Sequence, residues 1–126
     1  MIITRQKPME EIVEMLSRYG GVALLGCGGC VAFYQTGGAK QTKEMAAKLR
    51  DAGVKVVALG IANRQCYLCE EREVAGLSDA ERIRKVAREL EGFSELESAE
   101  AVLSLACGVG VQNLANLLEM PVLPAQ

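Results

Sequence analysis

Short uninterrupted apolar runs alternate along this chain with longer stretches in which apolar residues recur every three or four positions. The runs read as buried strands, and the periodic stretches as helices lying on them. Met1 to Thr4 reads as a short edge strand. Pro8 then opens a helix, at a position where its missing N–H costs nothing. Met9, Ile12, Val13, Leu16 and Tyr19 give that helix one apolar face, and Gly20-Gly21 stops it. Val22-Ala23-Leu24-Leu25-Gly26 is the first buried strand, followed by a glycine-rich loop from Cys27 to Gly38. Lys40 to Ala52 reads as a helix with Met45 and Leu49 inward, closed by Gly53. Val54 to Gly60 is the second buried strand, and residues 61–77 form a loop.

Ser78-Asp79-Ala80-Glu81 is a capping box, in which serine and glutamate serve each other's backbone N–H groups. Ile83, Val86, Ala87 and Leu90 give the helix behind it one face. Glu95 to Glu100 is an acidic, solvated connection, and Ala101 to Ala106 is the third buried strand. Val111 to Glu119 reads as a helix, and Pro121-Val122-Leu123-Pro124 as a last short strand. Strands alternating with helices predict a parallel sheet with helices on both faces. The expected architecture is therefore a single α/β domain over residues 1–126, Rossmann-like or flavodoxin-like.

Composition narrows the function classes. Half the residues are hydrophobic and the formal charge is −2, so a basic nucleic-acid surface is not expected. The longest apolar stretch, Val22 to Phe33, is interrupted by glycines and falls short of the roughly 20 residues a membrane helix needs. The first residues hold no apolar signal core, which predicts a cytoplasmic protein. There is no histidine. That removes Ser-His-Asp and Cys-His triads and every histidine-containing zinc site. Three tyrosines, two phenylalanines and no tryptophan leave little material for stacking a flavin or a base. The chain alone is expected to bind no flavin and to be non-catalytic.

The five cysteines carry the candidate chemistry. Cys27-Gly28-Gly29-Cys30 follows the first strand, Cys66-Tyr67-Leu68-Cys69 lies in the loop after the second, and Cys107 ends the third. On a parallel sheet all five gather at one carboxyl edge, where open α/β sheets bind ligands. An odd number cannot all pair within one chain, and CxxC pairs in an intracellular chain point to metal or redox chemistry. A [4Fe–4S] cluster takes four thiolates, commonly a CxxC plus more distant cysteines. Backbone N–H groups of Gly28, Gly29 and Gly108 can approach such a cluster closely and hydrogen-bond to its sulfurs. Arg64 can act in the same direction through its charge. Competing readings are a structural zinc held by two CxxC pairs, a CxxC thiol–disulfide exchanger, and buried cysteines acting as small hydrophobes. Cys107-Gly108-Val109-Gly110-Val111-Gln112 looks like half a dinucleotide fingerprint, but it lacks the third glycine and the acidic residue downstream. A tight strand-to-helix turn is the plainer account of it. Gly37-Gly38 before a helix reads as a plain N-terminal turn or an anion holder.

Several segments together carry a resemblance: Ile3 to Ile12, Gly26-Cys27-Gly28-Gly29-Cys30, Gln35-Thr36-Gly37-Gly38, Arg64-Gln65-Cys66 and Leu103 to Gln112, in this order. They resemble the methylenetetrahydrofolate reductase C-terminal domain family, which includes the small iron–sulfur subunit of two-subunit methylenetetrahydrofolate reductases. The resemblance spans essentially the whole chain. It implies an electron-transfer subunit of a hetero-oligomer, working with a flavoprotein subunit that resembles methylenetetrahydrofolate reductase. Carried over by position, Cys27, Cys30, Cys66 and Cys107 match the family's recurrent cysteines. Many members have a further cysteine where this chain has Tyr34, and Cys69 is not a family position. Longer members continue past the point matching Gln126 with more cysteines, so one cluster is expected here. Val31-Ala32-Phe33-Tyr34 is the candidate docking segment.

Overall fold

The structure, a computed structural model, describes residues 6–28, 37–62, 75–78, 81–82, 84–85, 96–118 and 120–125. Within them, helix α1 (Met9–Leu16) precedes strand β1 (Val22–Cys27), and helix α2 (Ala39–Asp51) links β1 to β2 (Val56–Ala62). A short 3-10 turn, Leu96–Ser98, leads into β3 (Ala101–Ser104), and helix α3 (Gly108–Leu117) links β3 to β4 (Val122–Pro124). All strand pairs are parallel, in the order β2-β1-β3-β4. The expected α/β sheet is therefore present, with the first four positions of the flavodoxin-like order 2-1-3-4-5.

The period of two along the strands sorts the core into two layers. Val22, Leu24, Ala101 and Leu103 meet Ile12 and Leu16 of α1 and Met45, Ala46 and Leu49 of α2 on one face. Ala23, Leu25 and Val102 meet Leu114 and Leu117 of α3 on the other. Each fully buried leucine or isoleucine contributes about 1.5–3 kcal/mol of transfer free energy. Helices thus cover both faces, as the alternation predicts. The β2 register slips once, between Val22 and Ala23, which pair with Val56 and Ala58. Val57 is the extra residue of this bulge and packs beside Ala58 in the α3-side layer.

Local chemistry sets the element ends. Pro8 is the residue before α1, with extended backbone, and Glu10 and Glu11 sit favourably in the first turn. Gly53 takes φ +87° after α2, a left-handed conformation that glycine adopts without penalty. The capping box is present: Glu81 N–H donates to Ser78 Oγ at 3.3 Å and Ser78 N–H to Glu81 Oε1 at 3.4 Å. Several elements differ from their expected spans: α1 stops at Leu16, short of Gly20, and β3 at Ser104 rather than Ala106. β2 runs two residues later, because Val54 N–H is drawn to Leu49 O at 2.9 Å in the turn, while Ile61 and Ala62 pair with Gly26 and Cys27. α3 begins at Gly108 rather than Val111. The 95–100 connection is not wholly solvated, since Leu96 is fully buried in the α3-side core. The expected strand over residues 1–4 and most of the helix behind Ser78 lie outside the described residues.

Candidate metal centre

The chain order of the sheet reverses at β1. From β1 the chain moves outward to β2, then returns to lay β3 on the opposite side of β1. The gap beyond the carboxyl ends of β1 and β3 is thus the topological switch point, where open α/β sheets place their ligands. Cys27 is the last residue of β1, and Cys107 is the N-cap of α3, three residues beyond the end of β3. The two cysteines form one small buried cluster with Ala106, exposed by only 7% and 8%. Both are thiols rather than disulfides. Two soft sulfur donors from non-consecutive strands therefore share one site, a donor type that suits iron–sulfur clusters and zinc.

The backbone holds these two positions firmly. Cys27 N–H donates to Gly37 O at 3.0 Å, which folds the start of α2 back over the end of β1. Gly26 makes that return possible. A Cβ there would collide with Thr42 Oγ1 and lie 2.8 Å from Ile61 Cδ1 and 3.0 Å from Gly37 O. Thr42 is fully buried, and its hydroxyl donates to Gly38 O at 2.7 Å. On the β3 side, Leu105 N–H donates to Leu25 O at 2.9 Å, so pairing of the two strands continues past Ser104. The buried Ser104 Oγ accepts from Ala106 N–H at 3.3 Å and shapes the turn into Cys107.

The three glycine amides offered to a centre by the sequence reading fare differently. Gly28 N–H donates to Ala62 O at 2.7 Å, extending the sheet from β1 to β2. Gly29 lies outside the described residues. Gly108 is the first residue of α3, and Val111 N–H is the first amide to reach back, to Cys107 O at 3.0 Å. The amides of residues 108–110 therefore have no acceptor within the helix. These amides belong to the Cys107 side of the pair. The turn at Gly37-Gly38 is likewise committed internally, since Gly38 N–H donates to Gln41 Oε1 at 3.1 Å.

Of the predicted ligands, the structure brings Cys27 and Cys107 together, while Cys30, Cys66, Cys69 and Arg64 lie outside the described residues. The 31–34 docking segment lies outside them as well. Sequence reasoning missed the roles of Gly26 and Thr42. The one available signal was a glycine inside an apolar run, which marks close backbone approach in a strand. Among the described residues a shallow groove between α1 and α2, lined by Met9, Val13, Lys48 and Ala52 among others, contains no cysteine. No helix among the described residues is long and apolar enough to cross a membrane. Comparison of the chain with protein-family models, curated proteins and solved structures finds no match.

Proposed function

We propose that this chain holds one [4Fe–4S] cluster at the β1/β3 switch point and passes electrons to or from a flavoprotein partner. The observation that carries this reading is the meeting of Cys27 and Cys107, from strands separated in sequence, in one buried cluster at the sheet's carboxyl edge. Cys27 and Cys107 would supply two thiolates, with Cys30 and Cys66 supplying the others and Cys69 held in reserve. Such a cluster, when bound, supplies a one-electron reservoir whose potential depends on hydrogen bonding to its sulfurs.

The chain's own residues do the rest. The Cys27–Gly37 hydrogen bond and the Gly26 contact hold one ligand position against the start of α2. The first turn of α3 directs amide donors toward negative charge beside Cys107. Ala106, itself buried, packs with the pair and helps to exclude water from it. The resemblance to the methylenetetrahydrofolate reductase C-terminal domain family supports a flavoprotein as the partner and one-carbon metabolism in the cytoplasm as the setting.

The test is anaerobic purification followed by stepwise reduction. A brown protein whose visible absorbance bleaches on reduction, and which re-oxidises on mixing with the partner flavoprotein, supports the reading. A colourless protein with stoichiometric zinc replaces it with a structural zinc subunit. Turnover of folate or nicotinamide by the isolated chain would overturn the electron-carrier role.

A further inference from the structure

We infer that Cys27 and Cys107 are a thiol–disulfide pair in the metal-free chain, closing a bond that ties the end of β1 to the start of α3. Two independent observations place them for it. The first is their shared buried cluster, in which Ala106 is the only other member among the described residues. The second is the strand register. β1 and β3 pair one residue for one from Val22↔Ala101 to Leu25↔Ser104, and the Leu105–Leu25 hydrogen bond carries the pairing onward. Cys27 lies two residues beyond Leu25 and Cys107 two residues beyond Leu105, so both stand just past the paired ends of adjacent strands. Neighbouring strands lie about 4.8 Å apart, and disulfides form without backbone movement between Cα atoms roughly 4.4–6.8 Å apart.

The oxidant is a low-molecular-weight disulfide of the glutathione class. One cysteine sulfur attacks it, forming a mixed disulfide and releasing one thiol. The second cysteine sulfur displaces the remaining half as a second thiol. The two cysteines give up two electrons and two protons, and the reagent leaves as two thiols. The formed bond withholds both sulfurs from any metal, so loading the site requires a reductant first. The pairing itself does not depend on which metal the site takes; only its consequence for iron loading rests on the function proposed above.

The experiment uses the full, metal-free chain. It is equilibrated with oxidised glutathione, its remaining thiols are alkylated, and it is cut with trypsin and mapped by mass spectrometry. Cleavage after Arg and Lys puts Cys27 and Cys30 in residues 19–40, Cys66 and Cys69 in residues 65–72, and Cys107 in residues 89–126. The expected product joins residues 19–40 to 89–126, with fragmentation placing the bond on Cys27. In a second protein, Cys30→Ser/Cys66→Ser/Cys69→Ser, the thiol count should fall from two to none while the chain stays monomeric. A bond within residues 19–40, a bond from Cys27 to the 65–72 peptide, or an alkylated Cys107 overturns the proposal. Iron uptake before and after a dithiol reductant reads the consequence: uptake lost on oxidation and restored by the reductant is expected. A chain that takes up no iron even when reduced refutes the cluster reading, while the peptide map still decides the pairing.

Discussion

Replacing Gly26 by alanine adds one methyl group and tests how the Cys27 side of the site is built. An alanine elsewhere in a strand would gain about 0.4–1 kcal/mol over glycine by restricting the unfolded chain. Here the new Cβ collides with Thr42 Oγ1 and lies 2.8 Å from Ile61 Cδ1 and 3.0 Å from Gly37 O. Ile61 can shift its δ-methyl. Gly37 O is backbone, held by Cys27 N–H at 3.0 Å, and Thr42 Oγ1 is held by Gly38 O at 2.7 Å. Relief requires moving the first turn of α2 away from β1 or rotating Thr42 out of its hydrogen bond. Overpacking a core costs about 1–3 kcal/mol, and a lost buried hydrogen bond about 1 kcal/mol. Their sum, less the entropy gain, is a destabilisation of about 1–3.5 kcal/mol, large against a total of roughly 5–15 kcal/mol.

Urea unfolding of the two proteins in the same metal-loading state measures it. Taking a slope of about 2 kcal/mol/M, in the middle of the usual range of roughly 1–3, the midpoint should fall by about 0.5–2 M. Thr42→Ala removes the atom in the way, so it should recover part of the loss in the double variant although it destabilises by about 1 kcal/mol alone. A Gly26→Ala protein within about 0.5 kcal/mol of the parent, or a Thr42→Ala penalty that simply adds, would refute the reasoning.

Further consequences are as direct. Leu103→Ala, at a fully buried position between α1, α2 and the sheet, should cost about 2–5 kcal/mol in the same assay. Ser78→Ala removes the capping box at an exposed position, so hydrogen exchange should quicken by the equivalent of about 0.5–2 kcal/mol at residues 81–85. Protection of β1 should stay unchanged. Cys69→Ser should leave metal content nearly intact, and a site emptied by this change but not by Cys66→Ser would reverse the two roles. Phe33→Glu or Tyr34→Glu should weaken association with the flavoprotein partner without altering the cluster spectrum, and full binding by both would remove that segment from the interface.

The elements were legible because burial and period agree. Val22 to Leu25 and Ala101 to Leu103 are uninterrupted apolar runs, and both are buried throughout. Ile12 and Leu16, or Met45 and Leu49, stand four apart and face the same layer. The start of α3 was not legible, because Gly108 and Gly110 count against a helix by propensity. The strand immediately before them, and the packing of Leu114 and Leu117 against it, override that. Strand order is a tertiary choice, and no local pattern encodes that β3 lies beside β1. It is this order that turns Cys27 and Cys107 from two strand-end cysteines into one site. The bulge at Val57 and the contact beneath Gly26 depend on partners far along the chain and leave little trace in local composition. Gly28 shows the limit most clearly: a glycine beside a cysteine suggests an amide facing a ligand, yet that amide faces Ala62.

The central claim is that Cys27 and Cys107 are two ligands of one iron–sulfur centre. Iron and acid-labile sulfide, counted together on the anaerobically purified chain and on its Cys27→Ser and Cys107→Ser variants, test it most directly. About four irons and four sulfides per parent chain are predicted, with both variants losing most of each. Zinc without sulfide in the parent, or a full iron and sulfide count retained by either variant, would contradict it.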